Sequence, residues 1–230
     1  MYNCFSIKTN ISLKIYNITA GNFMKSKKLR IEIFADIICP WCYIGKKRLE
    51  KALQNRPQIE VELKWRGFLL NPSIPQSGID RKQYLLSTFG HAASSVFSRI
   101  EQAGKQTGIN FNFDAIKRTP DPRSVHELII ATDVNGHQLS ELFYKAYFID
   151  GKDISNINIQ NEILRAFDAR LHPTKEQIMD AKKTLNSDLM EAKEIGIDGV
   201  PFFIFNSQLS LAGAHPEHIL LTTIDAALSG

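Results

Sequence analysis

Cysteine is scarce in this chain. Three residues among 230, Cys4, Cys39 and Cys42, are too few for a disulfide framework. A hydrophobic core must therefore hold the fold, and the length suffices for one large domain or a small domain carrying an insertion. Long apolar runs are also missing: no stretch approaches about 18 uninterrupted apolar residues, so no membrane span is expected. Blocks of like charge are absent. The 28 basic and 24 acidic residues, a net charge of +4, are spread along the chain, which calls for neither nucleic acid nor an anionic membrane. There is no internal repeat and no low-complexity tract. A second CxxC is lacking too, and a structural zinc site wants four ligands. His215 and His218 could in principle complete one, but Pro216-Glu217 between them reads as a helix start, so no metal is expected. His91, His126, His137 and His172 have no mutual spacing that suggests ligands or a catalytic pair.

The N-terminal stretch lacks the uninterrupted apolar segment of about 7 to 15 residues that a secretory signal needs. Asn3, Lys8, Asn10, Lys14 and Asn17 break it, so no export is expected and the chain is assigned to the cytoplasm. Residues 1–28 read as a disordered extension with Cys4 incidental in it, and Met24 before Lys25-Ser26-Lys27-Lys28 reads as the physiological start.

What is present centres on Cys39-Pro40-Trp41-Cys42. Before it, Leu29, Ile31 and Ile33 alternate with Arg30 and Glu32, the period of a strand. Pro40 stands where a helix tolerates proline best, its first position. Gly45, Leu49, Ala52 and Leu53 then fall on one helical face with Cys42, while Lys46, Lys47, Glu50 and Lys51 fall elsewhere. That pattern puts Cys42 on the buried side and Cys39 at the open helix end. Arg56-Pro57 stops the helix, and Ile59, Val61, Leu63 and Trp65 alternate with charged residues in a second strand. From Asp80 to Ile195 the periodicity is mainly helical, with Thr174 and Gln177 forming a capping box. Val200 to Phe205 and Gln208 to Leu211 then read as an antiparallel pair around Asn206-Ser207, and a last helix opens at Pro216.

Unpaired backbone donors and the positive end of the macrodipole favour an anion at a helix N-terminus, which makes Cys39 the nucleophile. Its thiolate attacks a substrate disulfide, and Cys42 then attacks Cys39 to release the reduced substrate; oxidation runs the reverse. Glu32 and Asp36 are candidates for proton transfer, although acids flanking a strand are most often solvated.

The segments Cys39-Pro40-Trp41-Cys42-Tyr43-Ile44-Gly45 and Trp65-Arg66-Gly67-Phe68-Leu69-Leu70-Asn71-Pro72 carry a family resemblance. So do Ala146-Tyr147-Phe148 with Asp153-Ile154-Ser155, and Gly199-Val200-Pro201 followed by Gly213-Ala214. Together they resemble the FrnE-like branch of the DsbA family of thioredoxin-fold oxidoreductases. The resemblance implies an α/β chain: a thioredoxin-like fold with an inserted all-helical domain. Residues 29–73 and 194–230 would form the thioredoxin-like part and 74–193 the insertion. It implies a cis bond before Pro201, with Val200 and Pro201 facing the cysteines and offering backbone groups to an extended substrate. Pro40 and Trp41 would tune the pair, Trp41 lacking the imidazole of a CPHC version. The expected partners are protein or small-molecule thiols and disulfides. The redox group is the Cys39–Cys42 pair itself, with no bound cofactor and glutathione as a candidate electron donor. Cytoplasmic placement favours a reductase or isomerase over an oxidase.

One departure is visible, since the buried acid of DsbA itself would fall at Ile33, leaving the proton acceptor for Cys42 unassigned. A second class shares the fold: kappa-class glutathione transferases and 2-hydroxychromene-2-carboxylate isomerases, which usually carry serine where this chain has Cys39. The paired thiols favour dithiol chemistry. A third reading is a redox-sensing interaction protein.

Overall fold

A computed structural model describes residues 28–132 and 136–229. Cys4, Met24 and the expected extension, apart from Lys28, lie outside the described residues. The chain opens with β1 (Lys28–Ala35), crosses through α1 (Pro40–Gln54) and returns in β2 (Glu60–Gly67), parallel to β1 with Leu29 opposite Val61 and Ile33 opposite Trp65. A long excursion follows: β3 (Ile79–Asp80), α2 (Arg81–Phe89), α3 (Ala93–Gln106), β4 (Arg118–Thr119), α4 (Arg123–Ala131), α5 (Gly136–Phe148), α6 (Ile157–Phe167) and α7 (Lys175–Glu194). The sheet then resumes with β5 (Phe202–Phe205) and β6 (Leu209–Ala212), and α8 (Glu217–Ser229) closes the chain.

The strand order is β2-β1-β5-β6, with β5 antiparallel to both neighbours. This is the thioredoxin-like sheet with its helical insertion, as the resemblance implies. Central β1 is covered on both faces, and Ile31 to Ala35 are buried without a break. The β5–β6 hairpin turns through Asn206 and Ser207 at φ of 51° and 56°, the primed turn that matches strand twist. Asn206 also bonds back to Arg30 in both directions, at 2.8 and 2.9 Å, tying the turn to β1.

The capping box of α7 is present, Thr174 taking the Gln177 amide and Gln177 the Thr174 amide. Besides its helices the insertion contains one short ladder, Ile79 opposite Thr119 and Asp80 opposite Arg118. Its core is continuous with that of the sheet. Tyr43 of α1 stacks on Tyr144 of α5 at 4.9 Å, and Phe111, Phe113 and Phe148 extend the aromatic cluster.

Two expectations drawn from periodicity fail where charges pair across elements. Lys46 is 4% exposed, because its ammonium reaches Glu50 at 2.5 Å and the His137 carbonyl at 2.9 Å. Glu32 is buried as well, bound to Arg66, which also holds Glu191 and, at 2.5 Å, Asp188. Asp188 takes the Gly67 amide too, so α7 is fastened to β2. Among the described residues no helix is long and apolar enough to cross a membrane.

Candidate active site

The loop between β1 and α1 is short and fully internal. Asp36 and Ile37 are 0% exposed. Cys39 is the N-cap of α1, in extended conformation with φ −94° and ψ 112°, and its side chain forms no capping bond to its own helix. Its carbonyl takes the amides of Cys42 at 3.1 Å and Tyr43 at 3.4 Å. Pro40 at the first helical position lacks an amide that would go unpaired there, and the first turn contains no acid to oppose a negative charge. The sulfur therefore sits at the positive end of the helix.

Across from it the bond between Val200 and Pro201 is cis. The Cys39 thiol donates to the Val200 carbonyl at 3.7 Å, and Pro201 in turn is anchored by the Gly213 amide on its carbonyl at 2.7 Å. Gly45, one turn beyond Cys42, lies under the Pro201 ring, where a Cβ would come within 2.7 Å of the ring's Cγ. Helix α1 thus packs at Gly45 directly against the Pro201 ring and the Phe203 side chain of β5. The sequence pattern assigns Cys39 to an open position, but it is 3% exposed against 2% for Cys42, since the Val200 loop lies over it. Both are free thiols. Trp41 between them is 37% exposed.

Cys42 lies deeper. Burial pushes its thiol well above the ordinary value, and the neighbouring Cys39 adds to this. The Asp36 backbone works in the opposite direction, while the Asp36 charge raises it further. Hence Cys42 is a thiol at rest, able to resolve a mixed disulfide only after losing a proton.

The insertion supplies the floor. Tyr144 donates to the Asp36 carbonyl at 3.2 Å, and the same carbonyl takes the Cys39 amide at 3.1 Å. The Asp36 carboxylate accepts the Ile38 amide at 3.1 Å and the Leu70 amide at 2.8 Å. His126 of α4, 0% exposed, brings Nε2 to 3.4 Å from Asp36 Oδ1, and its Nδ1 accepts from Trp65 Nε1 at 3.3 Å. Ile33 packs in the core at 4% exposed, and the acid whose charge acts on Cys42 is Asp36, not a residue at that strand position. Asp36 is legible as a candidate in the sequence, although burial replaces the solvated placement expected of it. His126 is not: it lies 90 residues away on an amphipathic helix, and no local spacing links it to the motif. A cavity of about 580 Å³ is lined by Asp121, Arg123, Glu127, Gln160 and their neighbours and includes neither cysteine.

The model of the DSBA-like thioredoxin domain family matches residues 30–225. Among curated proteins, the uncharacterized protein YwbO of Bacillus subtilis (strain 168) is 26% identical over 142 residues, 59% of this chain and 64% of that protein. The match thus spans under two thirds of that relative's length. A probable DsbA oxidoreductase of Streptomyces coelicolor has a TM-score of 0.73 and 24% identity, covering 87% of this chain and 90% of that one. The cytosolic disulfide reductase DsbM of Pseudomonas aeruginosa, solved with glutathione, has a TM-score of 0.57 and 15% identity over 87% and 96%. These two structures share the fold.

Proposed function

The chain belongs to the DSBA-like thioredoxin domain family, and from that premise we propose that it is a thiol–disulfide oxidoreductase acting through Cys39 and Cys42. Cys39 is the nucleophile and Cys42 the resolving thiol. The observation that carries this reading is the meeting of Cys39 Sγ with the Val200 carbonyl at 3.7 Å, beside Pro201 and at the N-terminus of α1. When Cys39 ionises it no longer donates to that carbonyl, which then becomes free to pair with the backbone of an extended substrate. Pro40 fixes the start of the helix, and exposed Trp41 and Leu70 offer apolar contact to the substrate chain.

The reaction is disulfide exchange with a protein or small-molecule disulfide. Cys39 thiolate attacks one substrate sulfur, the other leaves as a thiol, and attack by Cys42 on Cys39 frees the second half and leaves the Cys39–Cys42 disulfide. A thiol such as glutathione returns the pair to the dithiol. The working compartment is the cytoplasm, which favours reduction or isomerisation.

Replacing Cys42 with Ser tests this. The variant accumulates substrate joined to Cys39, seen by intact-mass measurement, and ordinary turnover stops. Turnover that survives the loss of Cys42, with glutathione alone bound, would move the assignment to a glutathione-dependent small-molecule isomerase. Protein adducts on Cys39 support the assignment made here.

A further inference from the structure

Arg81 opens α2 inside the insertion, and it is a buried cation without a counter-ion. It is 8% exposed, and the neighbouring Asp80 is committed to capping the helix, its carboxylate accepting the Gln83 amide at 3.0 Å. A guanidinium has five N–H donors and keeps its charge inside proteins. Among the described residues this one forms a single hydrogen bond, from Nη1 to Thr119 Oγ1 at 3.2 Å, and no ion pair. Its Nε is fully buried with no partner. The rings of Phe97 and Tyr84 lie 5.2 and 5.9 Å from it, an attraction that offsets part of the lost hydration but satisfies no N–H. A buried charge in that state is costly, and an anion that also takes its hydrogen bonds removes the cost.

Arg81 also lines a cavity of about 310 Å³ between α2 and α3, to which neither cysteine contributes. Leu85, Phe97 and Phe113 give this cavity an apolar side, and Glu101 and Asp114 are its acids. Neither carboxylate pairs with Arg81, and neither forms an ion pair with any other described residue. One cation and two anions therefore stand at separate points of one wall. Such a wall disfavours phosphate, which the two carboxylates repel, and an ammonium alone leaves Arg81 unpaired. A molecule with a carboxylate at one point, an ammonium at another and an apolar remainder meets all three demands. The volume is at the small end of ligand cavities, about 300–1,000 Å³, so the molecule is small.

We propose that this cavity of the insertion binds a free α-amino acid with an apolar side chain. Its carboxylate sits on the Arg81 guanidinium, its ammonium faces Glu101 and Asp114, and its side chain packs against Leu85, Phe97 and Phe113. The Thr119 bond occupies Nη1 of Arg81, which leaves the Nε–Nη2 edge for a carboxylate held through two parallel N–H···O bonds. Binding is non-covalent and uses neither thiol, so the site stands apart from the dithiol reading above.

The test is calorimetric titration of the full chain with L-phenylalanine, L-leucine and L-methionine. Three further probes divide the recognition: hydrocinnamate has the carboxylate alone, phenethylamine the ammonium alone, and inorganic phosphate is an anion without an apolar part. At least one of the amino acids binds with a Kd of about 1 mM or below, and the three further probes bind at least about tenfold more weakly. Arg81→Gln weakens that amino acid at least about tenfold. Circular dichroism and melting report folding of this buried variant, and if it does not fold, the double variant Glu101→Gln with Asp114→Asn decides the matter, since Asp114 is exposed and Glu101 half-buried. The double variant weakens the amino acid about tenfold and does not weaken hydrocinnamate. Cys39→Ala binds as the native chain does. Absence of saturable heat with all three amino acids up to about 10 mM overturns the proposal. So does affinity that the Arg81 and acid variants leave intact, or phosphate binding more tightly than every amino acid. Loss of binding in Cys39→Ala would place the ligand at the dithiol and overturn it as well.

Discussion

Gly45→Ala should place a methyl group where no room exists. The new Cβ would lie 2.7 Å from Pro201 Cγ, and 3.4 Å from Pro201 Cβ and Phe203 Cζ. Carbon atoms rest about 3.5 to 4.0 Å apart, so the Pro201 ring has to retreat by about 1 Å. It cannot do so freely, since the Gly213 amide holds the Pro201 carbonyl at 2.7 Å and Phe203 is 0% exposed. Overpacking of this kind costs about 1–3 kcal/mol. Alanine in a helix interior recovers about 0.8–1.0 kcal/mol relative to glycine. The net loss is about 1 kcal/mol, a fall of about 2–4 °C in Tm for a chain of this size. Activity suffers more, because the displaced ring carries the Val200 carbonyl away from Cys39. Misplacement near 1 Å can cost about a hundredfold in rate, so a drop of at least about tenfold in disulfide turnover is expected. Urea denaturation and turnover of oxidised glutathione measure the two effects. A variant that is about 1 kcal/mol more stable than the native chain, with full turnover, would refute the close packing of α1 on Pro201.

Asp188→Ala leaves the Arg66 guanidinium and the Gly67 amide short of an acceptor inside the protein. Burial raises the Asp188 carboxyl and Arg66 pulls it back only in part, whereas its three carboxylate partners hold Arg66 above its ordinary value. With both side chains under a tenth exposed and in direct contact, the ionised pair is the state the geometry supports. Its loss should cost about 3 kcal/mol in urea denaturation, and a change below about 1 kcal/mol would show the clamp of α7 on β2 to be dispensable. His137 is pushed below its ordinary 6.5 chiefly by burial, against the bond to Glu50. Between its folded value and 6.5 the unfolded chain binds the proton and the folded chain does not, so this group's stabilisation is complete above pH 6.5 and is lost as pH falls through the folded value. Glu50 is lowered from 4.5; burial opposes this, but His137 and Lys46 outweigh it, so its stabilisation fades below about pH 4.5. The urea midpoint should therefore decline with acidification from about pH 6.5, and His137→Asn should flatten the upper part of that decline. An identical profile in the variant would sink the assignment.

How much of this was legible before folding differs from element to element. The strand at Leu29 to Ile33, proline after Cys39, the Thr174–Gln177 box and the Asn206-Ser207 turn each depend on residues within one turn or one hairpin, and each is present in the structure, although burial of Glu32 breaks the strand's alternation. Lys46 shows where such reading stops. Its helical position looks solvated, and only Glu50 together with the His137 carbonyl, 91 residues on, makes its burial tolerable. Cys39 is similar, its exposure decided by Val200, 161 residues away.

By itself the sequence determined the strands and helix around the motif, the mainly helical character of the insertion, that two thiols stand at a strand-to-helix junction, and the family to which the chain belongs. These follow from short-range backbone sterics, periodicity and motif. Only the tertiary structure decided that Asp36 is buried, that His126 and Trp65 meet beside it, and that Gly45 touches Pro201. Those contacts arise from packing the insertion onto the sheet, where the gain from burying apolar surface sets which distant polar groups must find one another.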